Sequence, residues 1–324
     1  ILDQMQYFRV SDPSSGEQKV YDRVLSTAPQ TAYVKIAEGC NKGCSFCIIP
    51  QLRGRFRSRP LLDIVAEVEA LSQQGVQEFI LISQESSYYG RDLGLTDGLE
   101  QLLRALLKVE ALRWLRFFYV YPENISQSLI ELVQREPKLC SYFDLPLQHV
   151  NTRILKLMRR ASTGPSTRAL VDAIRDRLPQ ATIRANFIVG FPSETEVEFL
   201  ELKEFLQQYQ LDRVGIFPYS AEAGTAAAAL EGQLPESVKN QRYQTLWTLQ
   251  QRLSQKKLKQ RVGTALPVLV THASGYGRSE FEAPEVDGII RIHSGRRRLE
   301  PGQWVTVKNT KAQTHDQQGI LHPS

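Results

Sequence analysis

Three of the four cysteines of the chain lie within eight residues, at Cys40, Cys44 and Cys47. Two short spacers let one tight loop surround a single compact metal centre, and Gly39 and Gly43 are predicted to allow the backbone turns that this requires. Three crowded thiols do not resemble the disulfide framework of a small secreted domain. The spacing therefore favours a metal site.

An open iron-sulfur cubane is the interpretation that this spacing favours. Three thiolates fill three of the four iron positions and leave the fourth free for a ligand, whereas closed structural clusters usually use four cysteines. A structural zinc site is one alternative, although zinc normally has four protein ligands, no partner pair appears in the sequence, and His149 could complete the site only by accident of the fold. Three buried, unrelated cysteines are the other alternative. Cys140 stands alone and is predicted to be a small buried apolar residue rather than a ligand.

Length and composition bound the remaining possibilities. The 324 residues suit one large α/β domain with a smaller second domain, and 42% apolar residues suffice for a sizeable core. No apolar run approaches the length of a membrane-spanning helix, so we expect a cytoplasmic protein without a membrane partner. The net charge of +5 and the pI near 9.0 suit contact with RNA or a ribosomal surface.

Apolar runs and amphipathic stretches alternate from Thr31 onward. This order predicts parallel strands joined by helices, in an open sheet or a partial (β/α)6 barrel. Residues 1–30 are predicted to be an irregular lead-in with one short strand, residues 31–262 the α/β domain, and residues 263–324 a small all-β barrel. The predicted strands are 32–37, 78–82, 115–120, 142–145, 183–189 and 213–217. The predicted helices are 61–74, 99–109, 125–134, 168–178, 194–209 and 235–261.

The cysteine loop follows the first predicted strand. Ligands of parallel α/β folds bind beyond the carboxyl ends of the strands, so the residues that end the later strands are the candidates for ligand binding. They are Ser83-Gln84-Glu85, Tyr121-Pro122, Gln148-His149, Asn186 to Pro192, and Phe217 to Ser220.

The loop resembles the signature of radical S-adenosylmethionine (SAM) enzymes, CxxxCxxC after a first strand, with Phe46 in the aromatic position before the last cysteine. The resemblance implies a 4Fe-4S cluster on Cys40, Cys44 and Cys47, whose open iron binds the amino and carboxylate groups of SAM. An electron from the cluster then cleaves SAM to a deoxyadenosyl radical, and the protein binds and orients the cofactor.

The same resemblance implies which strand-end residues contact SAM. The implied cofactor-binding residues are Phe46, Gln84, Glu85, Gln148, Arg184, Ile188, Gly190 and Tyr219. Gln84 and Glu85 resemble the polar pair that meets the amino group of SAM, and the segment around Gly190 resembles the adenine site. Arg184 would reach the cofactor's carboxylate or ribose.

Each of these roles has a structural alternative. Gln84 and Glu85 could instead form buried hydrogen bonds to backbone, and Arg184 could pair with an acidic neighbour inside the barrel. Gly190 could be a plain strand end. Ser193 and Glu196 match a helix capping box, which would explain them without a ligand. The tyrosines Tyr88, Tyr89 and Tyr121 could line the pocket or belong to the core.

Over almost the whole chain, the sequence resembles the radical SAM methylthiotransferases. The stretches that carry this resemblance are 37–50, Arg53-Gly54, 57–60, Leu145 to His149, Phe187 to Pro192 with Glu194-Thr195, and a terminal TRAM-like β domain. Residues 83–90, 212–220, 277–279 and 283–288 are similar to the branch that modifies an aspartate side chain of a small-subunit ribosomal protein. A tRNA adenosine methylthiotransferase and a non-catalytic, metal-stabilised RNA- or ribosome-binding protein remain the alternatives.

The partners follow from this resemblance and from charge. From Gly263 to Ser324 there are seven Lys or Arg and six Asp or Glu, a balance too even for strong binding of a phosphate backbone. We therefore expect a ribosomal protein substrate, no strong tRNA binding and an external electron donor. We also expect the β domain to form a separate core with few contacts to the barrel. In the family a second 4Fe-4S cluster, thought to deliver sulfur, is held by three cysteines in a preceding domain, so we expect it only in a longer parent chain.

Overall fold

The computed structural model describes residue 25 and residues 27–322. The predicted lead-in therefore lies mostly outside the described residues. Six parallel strands lie side by side in two groups of three, joined by a bridge between Leu115 and Leu139. They are β1 (Thr31–Lys35), β4 (Glu78–Ile82), β5 (Trp114–Phe117), β6 (Tyr142–Gln148), β7 (Thr182–Val189) and β8 (Arg213–Pro218). Two short strands, β2 (Ala37–Glu38) and β3 (Arg57–Ser58), pair with each other beside the cysteine loop.

Helices connect these strands and cover their outer face. They are α1 (Ile49–Arg53), α2 (Leu61–Gln73), α3 (Gly98–Leu106), α4 (Gln127–Arg135), α5 (Thr152–Leu157), α6 (Gly164–Arg177), α7 (Glu196–Tyr209) and α8 (Glu236–Gln260). Val34, Leu81 and Ile183 belong to the buried core that the strands share with these helices. Alternation along each strand sends the other residues toward the barrel interior. In the described residues β1 and β8 are not paired, so the barrel is partial, as predicted.

The chain ends in a closed five-stranded barrel with the order β10-β11-β13-β12-β9. Its strands are β9 (Ala265–His272), β10 (Tyr276–Arg278), β11 (Ile290–His293), β12 (Trp304–Ala312) and β13 (Gln317–Leu321). The predicted fold class, a partial (β/α)6 barrel followed by a small all-β barrel, is confirmed.

The β domain has a buried apolar cluster of its own, which includes Val268, Ile290 and Val307, but the expectation of few contacts with the barrel is wrong. Residues 279–289, here called the β10–β11 segment, pack against the amino-terminal ends of the barrel strands. The backbone oxygens of Ser279 and Glu280 accept hydrogen bonds from Arg116 over 3.0 and 2.6 Å, and Phe281 O accepts one from the Thr182 hydroxyl over 3.2 Å. A buried apolar cluster also joins Trp114 of the barrel to Leu269 of the β domain. The two parts therefore share a buried interface.

A buried ion network lies at the centre of this interface. The Glu78 carboxylate accepts hydrogen bonds from Arg116 over 2.8 Å and from Arg278 over 2.5 Å. Burial alone would raise the pKa of Glu78, but the two guanidinium groups outweigh it and hold this pKa at about 2. Each of these three side chains is almost completely buried, so their charges depend on one another for compensation.

Candidate radical SAM site

The cysteine loop is fixed by backbone hydrogen bonds from three directions. Cys40 N donates to Gly54 O over 3.2 Å, and Ser45 N donates to Met158 O over 3.1 Å. Ala227 N in turn donates to Ser45 O over 2.7 Å. Gly39 has a φ of 81°, and an added Cβ would lie 2.2 Å from Arg55 O, so this turn requires glycine. These contacts hold the loop at the carboxyl end of β1.

Gly43 does not have the role that we predicted for it. Its φ is not positive, and a Cβ at this position would meet no atom within 4 Å. The turn through the loop is made instead by ordinary backbone, with Cys47 N donating to Cys44 O over 3.1 Å. The sequence signal was misleading because a glycine next to a cysteine need not occupy a left-handed conformation.

The loop presents three thiols without disulfide partners. Cys40 and Cys44 are buried and Cys47 is half-buried. Among the described residues no three His, Cys, Asp or Glu side chains converge on one point that would hold a single metal ion. A cubane does not require such convergence, because each thiolate binds a different iron atom.

Hydrogen-bond donors lie close to two of the three sulfurs. Lys42 N donates to Cys40 Sγ over 3.4 Å, and Arg160 Nη1 lies 3.8 Å from Cys44 Sγ. Burial raises the pKa of the Cys40 thiol to about 11, with the Lys42 N–H opposing that shift. Donors of this kind stabilise thiolate ligands, and a bound metal displaces the thiol protons.

Arg160 is a residue of this site that the sequence did not reveal. It is buried after α5, where Nη2 donates to Pro146 O over 2.8 Å and the guanidinium lies 4.0 Å from the centre of the Tyr121 ring. Two further contacts place Lys42 near the same ring and near Glu85, at 5.3 and 3.6 Å. Nothing in the sequence distinguishes Arg160 from Arg159 beside it, because both lie among other basic residues.

An apolar cluster beside the loop contains three of the predicted SAM contacts. Tyr219 is buried with Phe191 and Met158, and the partly buried Phe46 and Ile188 pack against this group. The Phe191 and Tyr219 rings meet edge to face at 5.2 Å between their centres. The structure thus places these three residues, which come from the cysteine loop, from β7 and from directly after β8, on one apolar surface.

Gln84 and Glu85 lie at the carboxyl end of β4. Gln84 Nε2 is 3.4 Å from Glu38 Oε1, and Asn124 Nδ2 donates to Glu85 Oε1 over 2.9 Å. Both side chains therefore bond to other side chains, and the alternative of bonds to backbone is wrong. Gln84 Oε1 and Glu85 Oε2 are buried without a hydrogen-bond partner in the described structure. Burial raises the pKa of Glu85 to about 7, against the lowering effect of Lys42.

The end of β7 is organised by Glu194. Its Oε2 accepts from Gly190 N and Phe191 N over 2.9 and 3.2 Å, and its Oε1 accepts from Arg242 over 2.7 Å. Gly190 has a φ of 71°, and an added Cβ would lie 2.5 Å from Lys239 Cγ of α8. The positive φ and the close approach of Lys239 thus explain the glycine at this position without a ligand.

The predicted capping box at Ser193 and Glu196 is wrong by two residues. The N-cap of α7 is Thr195, whose hydroxyl accepts from Glu198 N while the Glu198 carboxylate accepts from Thr195 N. Ser193 has a φ of 61° and lies in the turn before the helix. The helix begins later than this pattern predicts, because the chain first makes a turn around the Glu194 carboxylate.

Gln148 and His149 end β6. Gln148 has a φ of 68°, a conformation that costs about 1 to 3 kcal/mol for a residue other than glycine and that concentrates at functional sites. His149 is fully buried; its Nδ1 accepts from Asn151 N over 2.9 Å, and burial lowers its pKa to about 3. Among the described residues His149 belongs to no group of three His, Cys, Asp or Glu side chains that could hold a metal ion, so the structural zinc alternative gains no support.

Arg184 lies on the interior face of β7 and donates to Asp144 Oδ1 over 2.9 Å. The alternative that it pairs with an acidic neighbour inside the barrel is therefore confirmed. Cys140 is buried in the cluster at the base of the barrel, as predicted for an apolar packing residue. Tyr89 is a core residue whose hydroxyl donates to Arg59 O over 2.9 Å, whereas Tyr121 borders the cysteine loop.

Comparisons with known proteins agree with this geometry. Residues 34–206 match the radical SAM superfamily and residues 262–321 match the TRAM domain. The chain is 46% identical over 312 residues to the ribosomal protein uS12 methylthiotransferase RimO of Syntrophotalea carbinolica, covering 92% of this chain and 68% of the relative. It is 42% identical to the enzyme of the same name from Aquifex aeolicus, covering 94% and 71%.

Among solved structures, the fold is similar to coproporphyrinogen III oxidase (HemN) from Escherichia coli, described as a radical SAM enzyme. The TM-score is 0.52 at 16% identity, over 70% of this chain and 54% of that one, so this likeness concerns the fold alone. The identity to the relatives and the family matches assign the chain more closely. The chain belongs to the radical SAM superfamily and, within it, to the RimO family of ribosomal protein methylthiotransferases.

Proposed function

We propose that this enzyme transfers a methylthio group to an aspartate side chain of ribosomal protein uS12, using SAM and a 4Fe-4S cluster on Cys40, Cys44 and Cys47. The observation that carries the proposal is the loop of three unpaired thiols at the mouth of a partial barrel. The relatives that match more than nine-tenths of this chain at 46% and 42% identity are named as methylthiotransferases of ribosomal protein uS12.

The residues around the thiols fit a cluster of this kind. Three sulfurs on one rigid loop provide three iron ligands, and the N–H groups of Lys42 and Arg160 point at two of them. When bound, such a cluster supplies the electron that cleaves the sulfonium bond of SAM. The protein's own part is to hold the loop, to place donors at the sulfurs and to keep water from them by burial.

The unpartnered acceptors at the end of β4 fit the amino group of SAM. Buried polar atoms in proteins almost always have a hydrogen-bond partner, so Gln84 Oε1 and Glu85 Oε2 suggest a donor that a ligand supplies. The apolar surface of Phe46, Ile188 and Tyr219 offers packing area for an adenine. Gly190 and the strained Gln148 border the same region and complete the proposed cofactor contacts.

The β domain supports a protein substrate. Its balanced charge does not favour the many phosphate contacts that tight tRNA binding needs. We therefore propose weak tRNA binding, an external electron donor and, because the substrate is a ribosomal protein, action in the cytoplasm. Within the described residues no helix is long and apolar enough to cross a membrane.

The test is an anaerobic assay with the cluster reconstituted, SAM, a reductant and added sulfide. Purified uS12 and tRNA are offered in parallel, and both are analysed by mass spectrometry. We expect one methylthio group on an aspartate of uS12 and no change in the tRNA. Modification of tRNA with uS12 unchanged would overturn the proposal in favour of the tRNA-modifying branch of the superfamily. The Cys44→Ala variant is the control for cluster dependence.

A further inference from the structure

A cleft of about 420 Å³ lies between the barrel and the β domain. One wall is formed by β8 and α8, including Gly215 and Trp247, and the other by the β10–β11 segment and His315. A second cavity of about 280 Å³ lies inside the barrel, bordered by Lys35, Gln84 and Tyr119. Arg184 and Val286 line both spaces, so the cleft and the interior cavity meet at these two side chains.

At this junction Arg184 has N–H groups that make no hydrogen bond within the described chain. Its Nη1 binds Asp144 Oδ1, while Asp144 Oδ2 accepts from Tyr119 N over 3.1 Å, so this carboxylate is already occupied on both oxygens. A guanidinium has five N–H donors, and within the described chain only the bond to Asp144 is made. The Asp144 pair therefore orients the guanidinium and leaves the rest of its donors for a ligand.

The position of Arg184 along β7 separates it from the proposed cofactor contacts. Ile188 and Gly190 lie four and six residues further on, which is about 13 to 20 Å along a strand. Gln84, by contrast, borders the interior cavity that Arg184 also lines. Arg184 thus lies nearer the amino-terminal end of β7, in an interior cavity that also reaches Gln84.

Buried polar atoms that make no hydrogen bond occur in the wall of the cleft, although one of them, Arg213 Nη2, lies 3.8 Å from Glu282 Oε1. Arg213 Nη2 and Gln250 Oε1 line it and are buried without a hydrogen bond among the described residues. Asn186 Oδ1, two residues after Arg184, is also without a partner, and a Cβ on Gly215 would lie 2.6 Å from it. Glycine at this position thus keeps space next to an unused acceptor. Such groups favour a polar, hydrogen-bonding ligand.

The acidic side chains that line the cleft already accept hydrogen bonds from other residues of the protein. Asp287 Oδ2 accepts from Ala283 N and from the Tyr142 hydroxyl, and Asp316 Oδ1 accepts from Ile289 N. Val286, directly before Asp287, is half exposed, and the preceding Glu285 holds a φ of 65°. The β10–β11 segment therefore presents the apolar Val286 side chain to the junction, while the Asp287 carboxylate is held by its own hydrogen bonds.

We propose that this cleft binds an extended segment of the substrate protein and that Arg184 binds the carboxylate of the aspartate to be modified. This inference rests on the proposed function. Arg184 then selects aspartate over its amide, because a guanidinium donates to both carboxylate oxygens in a fork and an amide offers a single uncharged acceptor. Val286 packs against the aliphatic part of the same segment.

The test measures selectivity for the substrate carboxylate. The modified aspartate of uS12 is first located by mass spectrometry and replaced by asparagine. Equilibrium binding of both uS12 forms is then measured with the cluster-loaded, SAM-bound enzyme. We expect wild-type enzyme to bind the aspartate form about tenfold or more tightly, the effect of a charge-assisted hydrogen bond.

The informative variant is Arg184→Gln/Asp144→Asn, which removes both charges and leaves no buried carboxylate alone. We expect it to bind the two uS12 forms equally while its SAM affinity stays within about twofold of wild type. The matched control is Arg168→Gln, which breaks a 3.1 Å ion pair with Glu201 on the outer helices and should keep the full preference.

Two results would overturn the inference. In one, the double variant keeps the preference for aspartate. In the other, it loses SAM affinity at least as much as substrate selectivity, which would make Arg184 a cofactor contact. If wild-type enzyme neither binds nor modifies uS12, the proposed function itself fails, so the two failures are distinguishable.

Discussion

Two clusters of buried polar groups, at opposite ends of the barrel, differ in how completely their hydrogen bonds are satisfied. At the amino-terminal end, Glu78, Arg116 and Arg278 satisfy one another's charges across the interface with the β domain. At the carboxyl end, Gln84 and Glu85 keep acceptor atoms unused, and Gln148 holds a strained backbone. The first end contributes stability. The second gives up hydrogen bonds and local backbone energy, which is the pattern of a surface completed by a ligand.

The largest expected effect is at the cysteine loop. Replacement of Cys40, Cys44 or Cys47 by alanine should abolish the iron-sulfur absorbance, because two thiolates retain a cubane poorly. Iron and sulfide per chain after anaerobic reconstitution measure this. Cys140→Ala is the matched control, since its thiol is buried at the other end of the barrel. Full iron content in any of the three loop variants would refute the cluster assignment.

The next largest effect, on the free energy of unfolding, is expected at the amino-terminal end of the barrel. Glu78→Gln should lower the free energy of unfolding by about 3 to 5 kcal/mol, because it leaves two buried guanidinium groups without their carboxylate. Denaturant unfolding measures the change. Glu131→Gln is the control, since its ion pairs with Arg135 and Arg177 are partly exposed and should contribute no more than about 1 kcal/mol. Equal losses in both variants would show that the network has no special role.

The same network predicts an acid dependence. The pKa of Glu78 is held at about 2, below its ordinary value of 4.5, so its contribution to stability is complete above about pH 4.5. That contribution is lost as the pH falls from about 4.5 toward 2, where the folded-state carboxylate is protonated. Wild type should therefore lose more stability than Glu78→Gln over this interval. If the stability of both proteins fell equally over this interval, the lowered pKa assigned to Glu78 would be contradicted.

A smaller effect is expected at Arg160. Replacement of this residue by methionine removes a donor and a positive charge from beside Cys44 and should lower the reduction potential of the cluster. A charge-assisted hydrogen bond of at most about 3 kcal/mol corresponds to a shift of up to about 130 mV for one electron. Spectroelectrochemical titration measures this, with Arg159→Met as the control. An unchanged potential would show that Arg160 only packs against Tyr121.

The smallest effect tests the corrected helix start. Thr195→Ala should cost about 1 kcal/mol of stability, because the threonine hydroxyl caps α7, whereas Ser193→Ala should cost less. Thermal unfolding of both variants gives the comparison. A larger loss for Ser193→Ala would restore the capping box that the sequence suggested.

The sequence predicted the barrel well because local periodicity determines it. The strand at residues 78–82 was predicted with the observed bounds, and α2, α7 and α8 were predicted within a residue or two. The short helices α1 and α5 were missed because five or six residues show no periodicity. Pro50 at the start of α1 and Asn151 as the N-cap of α5 were signals that could have indicated them.

Features that depend on packing between distant segments were not predictable. Neither the spacing of Arg278 nor its neighbours indicates that it pairs with Glu78, 200 positions earlier. The expectation of few contacts between the β domain and the barrel was wrong for this reason, since a long connecting helix gives no information about where the next domain folds back. The position of Arg160 beside Cys44 was not predictable either, because only the tertiary structure brings these two residues together. The cysteine loop was predictable because its residues are contiguous.

The most direct test of the central claim is the formation of 5′-deoxyadenosine from SAM by the reconstituted chain under anaerobic, reducing conditions. Cluster-loaded wild type should release it, and the Cys40→Ala variant, prepared in parallel, should release none. Either no release from chain that contains its full complement of iron and sulfide, or equal release from both proteins, would contradict the account.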